Sequence, residues 1–96
     1  MKKLNKDEIS TKLKHHKGWS VKAGQLHREY KFEDFVHAFG FMATSAIAID
    51  KLNHHPDWSN VYNRVTVNLS THDAGGITKK DFALAKLLDG IARKLQ

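Results

Sequence analysis

The sequence predicts an α+β fold, a two-layer sandwich in which helices pack on one face of a sheet. Two observations point to the strands. "NVYNRVTVNLSTH" (60–72) alternates apolar and polar residues, and "WSVKAGQLHREYKF" (19–32) alternates on both sides of Ala23-Gly24. A third points to the helices: apolar residues recur every three or four positions from Glu33 to about Leu52, and again after Thr78. Strands so far apart in sequence must meet in one sheet, with the helices laid over it.

Taken in order, Asn5 with Glu8 three residues later reads as a reciprocal N-cap, and Ile9 and Leu13 give a short helical stripe. That helix should fray around "HHKG", where Gly18 accepts a left-handed turn. A β-hairpin follows, with Trp19, Val21, Leu26, Arg28, Tyr30 and Phe32 on one parity. The long helix repeats Phe35, Phe39, Met42, Ala46 and Ile49, while Phe41, Ala43, Ile47 and Ala48 add apolar surface on other faces. A sheet covers only one face of a helix, so this one predicts a second contact, and with it a homo-oligomer. Next comes one long strand, alone or with a partner, whose Val61, Val65, Val67 and Leu69 point inward with Asn63 as the polar exception. "DAGG" supplies a turn, Thr78 and Asp81 form a capping box, and a last helix buries Leu84, Leu88, Ile91 and Leu95.

Ninety-six residues make a single domain, residues 1–96. A hydrophobic fraction of 41% and a charged fraction of 27% describe a globular chain, not a disordered one. The absence of cysteine excludes disulfides, thiolate metal sites and cysteine nucleophiles. "MKKLNKDEIS" has no apolar run after its lysines, and no stretch approaches the ~20 apolar residues of a membrane span. A cytoplasmic protein with no membrane association is expected. Nine of the 16 Lys and Arg residues lie in the first 31 positions, interspersed with acids and hydrophobic residues. They form no DNA-reading motif, so a solvated basic face is the plainer account.

The seven histidines are not equivalent. His15 and His16 lie in a lysine-rich segment, His27 has the outward parity of its strand, and His37 lies near the start of the long helix. His54 and His55 stand directly before Pro56, which disfavours helical geometry at the residue before it and should end the helix there. Imidazoles suit a helix C-terminus through the dipole, so the pair alone does not declare a site. His72 falls on the polar parity at the far end of the long strand.

The whole spacing is more specific: Asp50, His54-His55-Pro56, Tyr62, His72 and Asp81, within "AFGFM" (38–42), "NHHPDWSNVYN" (53–63), "LSTHDAGG" (69–76) and "ITKKDFALA" (77–85). This chain of motifs resembles the pterin-4a-carbinolamine dehydratase family. The resemblance implies helices packed on one face of an antiparallel sheet, and subunits that pair edge to edge and through helices, as a dimer or tetramer. It implies a 4a-hydroxytetrahydropterin substrate, dehydrated to the quinonoid dihydropterin. It also implies catalytic roles for His54, His55 and His72. Asp81 matches a site position, and Asp50 stands where the family takes an acidic residue. From Asp50, an imidazole one turn on is within reach at four-residue spacing. Ser70 and Thr71 are expected to bond the pterin edge, and Trp58 to close the pocket or to pack in the core. Some relatives carry cysteine where this chain has Ala74.

The chemistry suits imidazoles. The hydroxyl on C4a must gain a proton and N5–H must lose one, and an imidazole pKa of roughly 6.5 serves both steps near neutrality. No metal or cofactor is expected. Three imidazoles can hold zinc, but adjacent side chains diverge and no H-E-x-x-H spacing is present. The alternative is a non-enzymatic role on the same scaffold, as a dimerisation cofactor of a transcription factor.

Overall fold

The computed structural model covers Met1–Gln96. It runs α1 (Lys6–Leu13), β1 (Ser20–Lys22), β2 (Gln25–Lys31), α2 (Phe35–Leu52), β3 (Asp57–Val61), β4 (Arg64–Leu69), a 3-10 turn (His72–Ala74) and α3 (Lys79–Leu95). The four strands form one antiparallel sheet in the order β1-β2-β4-β3, as an α+β fold requires.

Register decides which residues meet the helices. β2 and β4 set Leu26 opposite Leu69 and Tyr30 opposite Val65, and all four are buried. The other parity pairs His27 with Asn68 and Glu29 with Thr66, giving a polar outer face. The β1–β2 hairpin turns at Ala23 and Gly24, both at positive φ (51° and 76°), which matches the twist of the flanking strands. Both capping boxes form: Asn5 with Glu8 on α1, and Thr78 with Asp81 on α3. Phe41 sits at the core's centre, its ring 4.8 Å from Tyr30 and 5.2 Å from Phe32.

The long strand is in fact two. Tyr62, at φ 51°, and Asn63 make a two-residue turn between β3 and β4. The reversal puts Val61 opposite Arg64 on the outer face, where it is exposed, and brings Trp58 and Asn60 to the core face beside Val67 and Val65. Side-chain parity restarts at a turn, so Val61 cannot share the inward set of Val65, Val67 and Leu69.

On α2 the buried residues are Ala38, Phe41, Ser45 and Ile49; of the expected row only Ile49 is buried, with Met42 packed against the core. Phe35, Val36, Phe39, Ile47 and Leu52 are exposed. A helix apolar on most sides offers several stripes of helical period, and the sheet's aromatic residues select the one through Phe41. By length and composition α2 also meets the requirements of a membrane span, against the expectation that no segment would. Its Phe41 face packs on the Tyr30 and Phe32 rings.

The start of α2 is held by charge. Asp34 caps it, accepting from the His37 amide at 2.9 Å, and its carboxylate meets the His37 ring Nδ1 at 2.7 Å. The His37 amide, then its ring, hold the Asp34 carboxyl below its ordinary 3.8. The hydrogen bond to Asp34 in turn raises His37 above 6.5. A lowered carboxyl stabilises the fold above 3.8 and loses that contribution as pH falls through its folded value. A raised imidazole stabilises it below 6.5 and loses that contribution as pH rises through its folded value. The cap should therefore be firmest between pH 3.8 and 6.5. Amide exchange at His37 and Ala38, corrected for intrinsic rates, should be slowest in that window and lose the dependence in Asp34→Ala. A flat profile in the unaltered protein would contradict the pairing.

Candidate active site

The helix ends sooner than Pro56 demands. α2 stops at Leu52 because Asn53 takes the left-handed conformation (φ 51°, ψ 40°), which asparagine tolerates better than most residues. His54, His55 and Pro56 then form the link into β3. The two histidines thus leave the helix, and the four-residue geometry expected from Asp50 no longer applies. Asp50 instead approaches His55, Oδ1 to Nε2 at 4.0 Å, between two largely exposed side chains. Such a contact contributes little to stability.

His54 turns inward to Asp81. Its side chain is 13% exposed, and its Nε2 lies 2.6 Å from Asp81 Oδ1. Asp81, in the first turn of α3, is fully buried. Its Oδ2 accepts from the Thr78 amide at 2.8 Å and the Thr71 hydroxyl at 2.9 Å. The Thr78 and Thr71 hydroxyl oxygens are 2.6 Å apart, and Thr78 Oγ1 accepts from the Lys80 amide. Each hydroxyl has one hydrogen, so the order is fixed: Lys80 N–H to Thr78, Thr78 to Thr71, Thr71 to Asp81. Every oxygen of the buried carboxylate is satisfied, as burial of a charge requires.

This network also orients His54. A carboxylate can only accept, so His54 donates through Nε2–H. Its Nδ1 has no partner in the chain, yet Ser45 Oγ is the only fully enclosed side-chain polar atom without one. The His54 Nδ1 is therefore open to solvent or ligand.

Asp81 ties the segment after α2 to the segment after β4, through His54 on one side and Thr71 on the other. His55 and His72 are the next residues along those segments, and both are exposed. His72 lies outside the strand that was expected to carry it: β4 ends at Leu69, and His72 opens the 3-10 turn closed by Gly75 at φ 74°. The Thr71–Gly76 bridge holds the base of that turn.

Of the other expected site residues, Ser70 accepts from Gln25 Nε2 at 3.1 Å. Trp58 is half-buried, edge-on to Phe41 with ring centres 6.4 Å apart. The structure thus joins His54, Thr71 and Asp81 directly, sets Asp50 loosely against His55, and gives Ser70 and Trp58 partners elsewhere. Thr78 appeared in the sequence only as a helix cap; its hydroxyl is also part of this network.

Residues 2–91 match the family described as Pterin 4 alpha carbinolamine dehydratase. A Solibacter usitatus protein provisionally named pterin-4-alpha-carbinolamine dehydratase is 58% identical over 90 residues, covering 94% of this chain and 95% of its own. A Rhizobium johnstonii protein with the same provisional name is 45% identical, with 98% and 95% covered. Among solved structures, a "transcriptional coactivator/pterin dehydratase" from Brucella melitensis superposes with a TM-score of 0.90 at 42% identity, with 94% and 98% covered. A pterin dehydratase-like protein described as a RuBisCO assembly factor of the alpha-carboxysome shares the fold, with a TM-score of 0.67 at 21% identity and 81% and 93% covered.

Proposed function

The chain belongs to the pterin-4a-carbinolamine dehydratase family, and on that premise we propose that it dehydrates 4a-hydroxytetrahydrobiopterin by histidine acid–base catalysis. The observation that carries this reading is the buried Asp81 junction. It fixes His54 in one tautomer and one orientation, and leaves exposed His55 and His72 beside it along the chain. In the proposed reaction one imidazolium protonates the hydroxyl on C4a, and the C4a–O bond breaks with loss of water. A neutral imidazole takes the proton from N5 as the C4a–N5 double bond forms. His55 and His72 fill these two roles, while His54 presents Nδ1 to the pterin. Positioned proton transfer contributes ~10²–10⁴-fold per group.

The product, quinonoid dihydrobiopterin, would return to the tetrahydropterin used by aromatic amino acid hydroxylases, including in phenylalanine hydroxylation, and this reading places the enzyme in the cytoplasm. The exposed apolar face of α2 suits a second copy of the chain, and we infer a homo-oligomer, a dimer or tetramer joined there. The same face is where a transcription-factor partner would compete in the alternative reading, which the description of the Brucella melitensis protein as a transcriptional coactivator supports.

The test is stopped-flow dehydration of chemically generated 4a-hydroxytetrahydrobiopterin, with and without a chelator. Clear acceleration over buffer, unchanged by the chelator, is expected. Activity that disappears with the chelator and returns with zinc would replace the acid–base reading by a metal one. No acceleration by folded protein would favour the partner role.

A further inference from the structure

A second polar cluster lies between the end of α1, β2 and the latter half of α3. Asp89 accepts from the Trp19 indole Nε1 at 3.1 Å, from Arg28 Nη1 at 2.9 Å and from the Tyr30 hydroxyl at 2.5 Å. Arg28 is held on two further sides. Its Nη1 donates to the Lys17 carbonyl at 3.0 Å, and its guanidinium carbon stands 4.6 Å from the centre of the Tyr30 ring. Gly18, at φ 92°, lets the backbone come so close that a Cβ there would meet the guanidinium carbon at 2.7 Å. Nothing in the proposed dehydration uses this cluster. Asp89 lies eight residues beyond Asp81 on α3, ~12 Å further along the helix axis.

Asp89, Arg28 and Tyr30 of this cluster line a cavity of about 520 Å³ whose walls also carry Lys14, Lys17 and Arg93. Four cations thus face one carboxylate, and that carboxylate is already engaged by Arg28, Trp19 and Tyr30. Lys14, Lys17 and Arg93 have no acidic partner in the chain. Gathering like charges in a concave wall costs free energy, and the focused field draws anions. The volume falls within the roughly 300–1,000 Å³ of small-ligand pockets. An immobilised guanidinium flanked by free lysines suits phosphate oxygens. Lys14, Lys17 and Arg93 are exposed on the rim around the half-buried Arg28, and cations gathered about one concavity fit a small ligand better than the basic stripe expected for duplex nucleic acid.

We propose that this cavity is an anion site that takes the phosphate group of a small phosphorylated molecule. His16 and His15 lie on its wall. Burial, the largest influence, keeps the His16 imidazole below 6.5; Lys12, His15 and Lys86 act in the same direction, and Asp89 opposes them. A bound phosphate would add a second opposing charge and raise the His16 value, so the imidazole reports occupancy.

The probe is pyrophosphate, titrated at constant ionic strength into the full chain and followed by calorimetry and by the His16 imidazole resonance. One saturable site per chain, an upward shift of the His16 titration, and weakening by at least about tenfold in Lys17→Gln/Arg93→Gln are expected. Thermal melting of the variant checks that the fold is kept. Absence of saturable binding, or binding indifferent to the two substitutions, would overturn the proposal. So would duplex DNA binding more tightly than pyrophosphate with the same sensitivity, which would reassign the surface to nucleic acid.

Discussion

Asp81→Ala lowers stability by about 3–5 kcal/mol, because it removes one partner of a buried, hydrogen-bonded pair. Three groups lose their acceptor at once: the Thr78 amide, the Thr71 hydroxyl and His54 Nε2. Small domains hold only ~5–15 kcal/mol in all, so the fall in melting temperature should be roughly 12–40 °C by circular dichroism. Asp81→Asn is gentler but not neutral. An amide has one accepting oxygen, so its NH₂ must face either the Thr78 amide or the His54 donor. If Asp81→Ala melted within a few degrees of the unaltered protein, the carboxylate would not be the junction described.

His55→Ala and His72→Ala each slow the dehydration by ~10²–10⁴-fold while leaving the melting temperature almost unchanged. Both side chains are exposed and neither closes a buried hydrogen bond, so their removal should cost no more than ~0.5 kcal/mol of stability. On the proposed reaction, the Asp81 variant and the two histidine variants would separate what holds the site from what moves protons. The opposite pattern, unstable histidine variants with normal rates, would mean that the exposed rings serve the fold.

The fold class, both capping boxes and the hairpin at Ala23-Gly24 were legible because each rests on local chemistry: a period, a cap or a turn. The split between β3 and β4 was not. Tyr62-Asn63 carries no glycine, and a tyrosine at positive φ gives no compositional warning. Apart from Ile49, the buried stripe of α2 was not legible, for a different reason. Phe35, Phe39 and Phe41 are equally apolar, and only the position of Tyr30 and Phe32 in the sheet decides which ring goes inside.

At the candidate site the residue types were visible and their pairings were not. Asparagine allows a left-handed cap at residue 53 but does not require it before Pro56, and that turn sends His54 to Asp81 and leaves Asp50 facing His55. Asp89 gave no signal at all. Its three donors come from residues 19, 28 and 30, a meeting that only the packed fold creates.

The proposed reaction requires His55 and His72 to act together as the proton-transfer pair. A stopped-flow cycle in metal-free buffer tests it most directly, comparing the unaltered protein with His55→Ala, His72→Ala and the double variant. Groups that act as a unit are non-additive, so the double variant should be scarcely slower than the worse single one. Single variants that keep the full rate, or a double variant whose loss is the product of two independent losses, would contradict it.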